Sequence, residues 1–270
     1  MHKAYGTLER LITAKHRVSL ISIVGGGGKT HLAFALAKHF QQQGKRVAVT
    51  TTTKMYLPRQ DQVDIISQWC DGEPLGNRDG VCFLYQEKLV DSQALDPPKV
   101  RGLSLTQLDR LCYSRQFDIV IVEADGAKHK PLKAPAEHEP CLSHRSDVVM
   151  AVTGAESLLT PAIPSQIHRW SHFQAITHCQ PGELIGEQHL KRLIDNPKGM
   201  FKFAPECAIK IWIINKLDQC ANSKALVSMT KKLYADTPWL NDVWFCQLNT
   251  GEPLHDHLIP LSWCVSLDKI

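Results

Sequence analysis

Four glycines in a row close on a lysine and a threonine, at Gly25-Gly26-Gly27-Gly28-Lys29-Thr30. This combination has a specific chemistry. Glycines let a backbone turn sharply and aim N–H groups at anionic oxygens. A helix starting at the lysine adds the positive end of its dipole. Lys29 is then placed for the β- and γ-phosphates of a nucleotide, and the Thr30 hydroxyl for Mg²⁺. The usual G-x-x-x-x-G-K-[ST] loop would need glycine at position 23, which is Ile23, so the loop here is the shorter G-x-x-G-K-T from Gly25.

Three further groups stand where such a loop needs them. Thr50-Thr51-Thr52-Thr53-Lys54 follows an apolar run, so its hydroxyls fall at a strand's carboxyl end, with Thr52 a candidate for the metal or the γ-phosphate. The run 118–122 ends in Glu123-Ala124-Asp125-Gly126. Two acids at the end of a buried strand need a counter-charge, and magnesium would supply it. This reads as a Walker B element with Glu123 in the place of the usual aspartate, and it makes Thr30, Glu123 and Asp125 the candidate magnesium ligands. Finally, 208–214 runs into Asn215-Lys216-Leu217-Asp218. An aspartate there accepts two hydrogen bonds from guanine N1–H and N2–H₂, a pair of donors adenine lacks. Asn215, Lys216 and Asp218 are the candidate base readers, which favours GTP over ATP. Lys29, Glu123 and Asp125 are the candidate catalytic residues.

These residues need a frame that brings strand ends together. Apolar, β-branched runs at 18–24, 46–50, 117–122, 147–153, 209–214 and 243–248 read as strands buried on both faces. Helical patterns at 30–40, 104–111 and 223–234 alternate with them. That order predicts an α/β fold, a doubly wound and mainly parallel sheet of the P-loop NTPase type. The stretch 57–98 predicts irregular structure with one short strand at 81–85. The stretch 160–205 predicts one helix near 182–194. The expectation is a single nucleotide-binding domain over 1–270, with a helical and irregular insertion at about 155–207.

The chain has 270 residues, a net charge of +4 and a pI near 8.5. A mildly basic chain without a Lys/Arg run carries no nucleic-acid or membrane footprint. Nine cysteines without a C-x-x-C pair argue against a disulfide framework and for a reducing, cytoplasmic setting. No apolar core of a signal peptide is present in residues 1–15. His138-x-x-Cys141-x-x-His144 and His255-x-His257 hold ligand-type side chains but lack the full set of a zinc site.

Taken in order, Ile23-Val24-Gly25-Gly26-Gly27-Gly28-Lys29-Thr30, Thr50-Thr51-Thr52-Thr53-Lys54, Val122-Glu123-Ala124-Asp125-Gly126, Pro131-Leu132-Lys133-Ala134-Pro135, His138-Glu139-Pro140, His168-Arg169 and Asn215-Lys216-Leu217-Asp218 resemble the YqeC family, over residues 6–251. The short loop also resembles that of the Mur peptidoglycan ligases. The resemblance implies an accessory factor for selenium-dependent molybdenum hydroxylases, with an apo-hydroxylase or a selenium or molybdenum cofactor protein as partner. It also marks Lys128, Lys133, His138 and Glu139 as a loop particular to the family. By analogy with the nickel-insertion GTPases, GTP would gate delivery to an apo-enzyme. Arg169 could reach a γ-phosphate, although a surface salt bridge is the more ordinary use. The expected activity is slow hydrolysis of Mg-GTP, with a homodimer as the expected assembly. Two other readings stay open, an ATP-dependent kinase or ligase and a non-enzymatic, nucleotide-gated binding protein.

Overall fold

The structure, a computed structural model, describes residues 18–71, 80–90, 97–248 and 258–260. The His255/His257 pair, the segment 1–15 and the ends of the family resemblance lie outside these residues.

Nine strands form one sheet in the order β14-β13-β12-β10-β1-β8-β2-β5-β4. They are β1 (Ser19–Gly25), β2 (Val47–Thr51), β4 (Ile65–Gln68), β5 (Val81–Tyr85), β8 (Ile119–Glu123), β10 (Val148–Gly154), β12 (Ile209–Asn215), β13 (Asp242–Cys246) and β14 (Leu258–Pro260). Every pairing is parallel except that of β14 on β13. The central strands are buried along their whole length, as a sheet covered on both faces requires. Alternate side chains feed two cores. Ile21, Ile23, Val49, Ile121 and Met150 pack on one face with Leu32, Leu36 and Phe40 of α1 (Lys29–Gln42). Leu20, Ala48, Val120, Val122 and Ala151 pack on the other. That second face is covered by α2 (Leu105–Tyr113) and α5 (Ser223–Ala235) through Leu108, Leu111, Leu226 and Leu233.

Helix α2 starts where the sequence marks it, because the Ser104 hydroxyl accepts from Gln107 N–H and the Gln107 side chain answers the Ser104 N–H. The insertion holds two helices, α3 (Trp170–Thr177) and α4 (Glu187–Asp195), where the sequence predicts one. Their Phe173, Ile176, Leu190 and Leu193 join the same core as α2 and α5. A parallel pair of β9 (Leu132–Lys133) with β11 (Ile167–His168) ties the insertion to the loop after β8. The stretch 57–98 also holds more order than expected. Besides β5 and β4 it contributes to a small antiparallel sheet of β3 (Lys54–Tyr56), β7 (Lys99–Arg101) and β6 (Glu87–Lys88), in the order β3-β7-β6.

What matters for function is the order β12-β10-β1-β8-β2. These five parallel neighbours end at one edge, and β1, β2, β8 and β12 each hand the chain to a loop carrying one of the motifs. In open α/β sheets such an edge is where ligands bind. Register sets the height of each group: Glu123 on β8 lies level with Ile23 of β1 and Thr51 of β2, and Gly154 on β10 lies level with Asn215 of β12.

Candidate nucleotide site

The glycine loop connects β1 to α1. Gly25, Gly27 and Gly28 hold φ of +96°, +78° and +121°, a region that side chains other than glycine rarely adopt. Space enforces the same choice. A Cβ on Gly27 would lie 2.3 Å from Gly154 N, and one on Gly28 would lie 2.3 Å from Asn215 Nδ2. Three of the loop amides meet protein acceptors: Gly25 N–H donates to Asp125 Oδ2 (3.1 Å), Gly26 N–H to Val152 O (2.9 Å) and Gly27 N–H to Lys130 O (3.0 Å). The first intrahelical bond runs from Leu32 N–H to Gly28 O. The amides of Gly28, Lys29, Thr30 and His31 therefore lack an acceptor among the described residues. The free N–H groups lie one step further into the helix than the glycine run alone implies, where the first turn of a helix leaves its donors unpaired.

Lys29 and Thr30 meet the acid strand. Thr30 Oγ1 donates to Glu123 Oε2 at 2.6 Å. The buried Lys29 ammonium donates to Gly25 O (2.8 Å) and lies 3.3 Å from Asp125 Oδ1 and 3.6 Å from Glu123 Oε1. Burial works against its charge, but Asp125 and Glu123 outweigh that and raise its pKa above the usual lysine value.

Asp125 anchors a longer chain of charge. Its Oδ2 lies 2.9 Å from the Lys133 ammonium, whose side chain is 1% exposed. Lys133 also donates to Gly126 O (2.6 Å) and lies 2.9 Å from Glu139 Oε2. Glu139 Oε1 in turn accepts from Arg169 Nη2 at 3.3 Å. Cations and anions thus alternate from Lys29 to Arg169, just ahead of α3. Burial alone would push the Glu139 carboxyl up, but its bonds with Lys133, the Ala136 N–H and Arg169 hold it down to about 2. His168 sits beside this chain, and burial together with the Lys133 and Arg169 charges pushes its pKa down to about 4. The sequence reading marks Lys133 and Glu139 only through the family resemblance. Lys133 pairs with both Asp125 and Glu139 across a stretch of loops, where no helical or strand period relates the three positions.

The threonines are largely committed to the frame. Thr50 Oγ1 donates to Leu84 O, Thr51 Oγ1 to Glu123 O and Thr52 Oγ1 to Cys141 O. At the other end, Asn215 is buried; its Nδ2 donates to Gly27 O (2.7 Å), and its Oδ1 accepts from Leu248 N–H (3.2 Å) and from the Cys246 thiol (3.3 Å). Lys216, in the left-handed region at φ 60°, reaches Glu156 Oε1 at 2.6 Å. Asp218 is exposed and has no side-chain partner among the described residues. The structure therefore brings the glycine loop, Lys29, Thr30, Glu123, Asp125 and Asn215 into direct contact, with Lys216 and Asp218 on the adjoining loop. His138 and His144 are exposed, and with Cys141 they do not converge at ligand distance.

A family model described as YqeC protein matches residues 21–171. A curated relative, the uncharacterized protein YqeC of Escherichia coli (strain K12), is 34% identical over 246 residues, which is 85% of this chain and 90% of that protein. Among solved structures, FtsY from Mycoplasma mycoides is matched at a TM-score of 0.31 with 10% identity, over 85% of this chain and 56% of that chain. No described helix is long and apolar enough to cross a membrane.

Two expected outcomes follow from the charge chain. Lys133→Met leaves Asp125 and Glu139 buried without their shared cation, so urea denaturation at neutral pH is expected to show a loss of about 3–5 kcal/mol; a loss below about 1 kcal/mol would mean the pair is solvated. Acid titration of stability tests His168. Below its ordinary value of 6.5 an unfolded chain takes up a proton there that the folded chain refuses until about pH 4, so stability falls as pH drops through that window. Glu139, at about 2 against an ordinary 4.5, adds a second loss between those values. His168→Gln is expected to remove the first loss and keep the second. A wild-type curve that stays flat as pH falls from 6.5 to 4.5 would exclude a buried neutral His168.

Proposed function

The chain belongs to the YqeC family, and we propose that it binds Mg-GTP and hydrolyses it slowly, as an accessory factor in maturing a selenium-dependent molybdenum hydroxylase. The observation that carries the nucleotide reading is the 2.6 Å contact between the Thr30 hydroxyl and the Glu123 carboxylate, at the opening of α1 and beside the buried Lys29. A glycine loop, a helix N-terminus, a lysine and an acid strand meeting at one sheet edge make an anion site with a place for a hard cation.

The donor set fits magnesium. Thr30 and Glu123 offer adjacent hard oxygens, and they are the residues that would hold the ion. Asp125 is already matched by Lys29, Lys133 and the Gly25 amide, so its part is to position Lys29 and the loop. Bound magnesium would neutralise charge between the β- and γ-phosphates. The amides of Gly28, Lys29, Thr30 and His31 would receive phosphate oxygens. Lys29 would exchange its ion-pair contacts with Asp125 and Glu123 for bonds to the phosphates. Glu123 is the acid best placed to orient an attacking water.

Guanine preference rests on Asp218. Asn215 is bound into the frame, whereas the Asp218 carboxylate stands exposed and, among the described residues, without a partner, ready for the two donors of guanine. The maturation role rests on the family resemblance, and an apo-hydroxylase or cofactor protein is the partner it implies.

Calorimetry of GTP and ATP with Mg²⁺ tests the reading on wild type, Lys29→Ala and Asp218→Ala. GTP is expected to bind more tightly than ATP, and Lys29→Ala to bind neither measurably. Asp218→Ala is expected to weaken GTP by about 1–3 kcal/mol, roughly 5- to 150-fold, and to leave ATP unchanged. Wild type preferring ATP would overturn the guanine reading in favour of a kinase or ligase.

A further inference from the structure

The end of α3, the turn behind it and the start of α4 bring three chemically distinct side chains together. The Cys179 sulfur, a Glu183 carboxylate oxygen and a His189 ring nitrogen all lie within 4.8 Å of one another. Among the described residues this is the sole such group of histidine, cysteine and acidic side chains. Cys179 is fully buried and His189 is 2% exposed, while the Glu183 side chain is 39% exposed and opens the cluster to solvent.

The backbone around the cluster is firmly set. His178 ends α3 in the left-handed region at φ 61° and turns the chain back. Thr177 Oγ1 accepts from Cys179 N–H at 3.2 Å, and Thr177 O accepts from Arg192 Nη1 of α4 at 2.8 Å. Glu183 Oε2 accepts from Gln180 N–H at 2.8 Å. Backbone bonds from Ala162 to Glu183 and from Leu159 to Ile185 hold the turn against the preceding loop.

The converging atoms themselves are loosely bonded. His189 Nε2 lies 3.3 Å from Glu183 Oε1, long for a charge-assisted contact. Gly186 N–H reaches His189 Nδ1 at 3.3 Å, and the Cys179 thiol reaches Gln180 O only at 3.7 Å. A tight frame thus carries three unsaturated heteroatoms of the types that zinc binds. A tetrahedral zinc with bonds of about 2.0–2.3 Å needs its ligand atoms roughly 3.5 Å apart, within reach of side-chain rotation here.

We propose that Cys179, Glu183 and His189 form a binding site for a zinc-type divalent cation, which pins the end of α3 to the start of α4 and keeps one coordination position for water. The site is separate from the oxygen ligands of the nucleotide edge and does not rest on the reading of that edge. On binding, the Cys179 thiol releases its proton to solvent. The Gly186 bond places the His189 proton on Nε2; as Nε2 takes the ion, that proton moves to Nδ1 and the long Gly186 bond is given up. Glu183 enters ionised, so one proton is released per ion.

Cobalt titration of the chelator-treated full chain, followed by absorbance, tests this. One equivalent is expected to give a thiolate charge-transfer band with tetrahedral visible bands, and zinc to bleach both. The oxygen set at Thr30 and Glu123 cannot produce a thiolate band. Cys179→Ser is expected to abolish it. Glu183→Gln keeps an acceptor for Gln180 N–H and stands half exposed, so it serves if the serine variant fails to fold. Loss of this direct ligand is expected to weaken cobalt by about tenfold or more, at least as much as loss of an outer-shell partner. Absence of the band, its survival in Cys179→Ser, or unchanged affinity in Glu183→Gln would each overturn the site.

Discussion

A carboxylate that is 2% exposed sits between two buried ammonium groups, and the candidate nucleotide edge is arranged around it. Buried alone, Asp125, Lys29 or Lys133 would each lose its hydration without replacement, at a large cost. Together they are tolerable, and the requirement propagates. Asp125 fixes the glycine loop through the Gly25 amide and Lys29 at the loop's end. Lys133 draws the segment after β8 back onto the sheet edge and recruits Glu139, which recruits Arg169 at the head of α3. A ligand that competes for Lys29 must disturb one end of this chain while its other end touches the insertion.

The frame was legible because buried parallel strands leave an unambiguous trace. The seven runs read as strands lie on β1, β2, β5, β8, β10, β12 and β13, since a strand covered on both faces has to be apolar throughout. What escaped has physical reasons. Helix α3 is preceded by Arg169 at φ 62°, whose side chain makes no cap, so nothing in the sequence announces its start. Strands β3, β6 and β7 have two or three residues each and exposed positions, too short for a period to show.

Within the site, residue types were legible and their partners were not. Glycine, lysine, threonine and acid declare their chemistry, but the bond from Asn215 to Gly27 spans 188 positions. The threonine run looked like a bank of free hydroxyls, yet three of them donate to carbonyls of neighbouring segments. The ligand-like spacing at His138, Cys141 and His144 drew attention to a surface stretch, whereas Cys179, Glu183 and His189 follow no familiar spacing and are assembled by a helix end, a turn and a helix start.

Asn215 carries a consequence for how such a protein can change over generations. Its amide holds the glycine loop, β13 and the chain after it in one latch, and any side chain on Gly28 would strike it. On the proposed nucleotide reading, substitution at either position would disturb the grip on the phosphates whatever the base. Asp218, just beyond on the short turn after β12 and bound to nothing described, has no such debts. The four-residue motif is therefore divided between a part that evolution can scarcely touch and a part it can retune alone. If Asp218 reads the base as proposed, descendants of this fold could drift between purines at one exposed carboxylate while the machinery behind it stayed frozen.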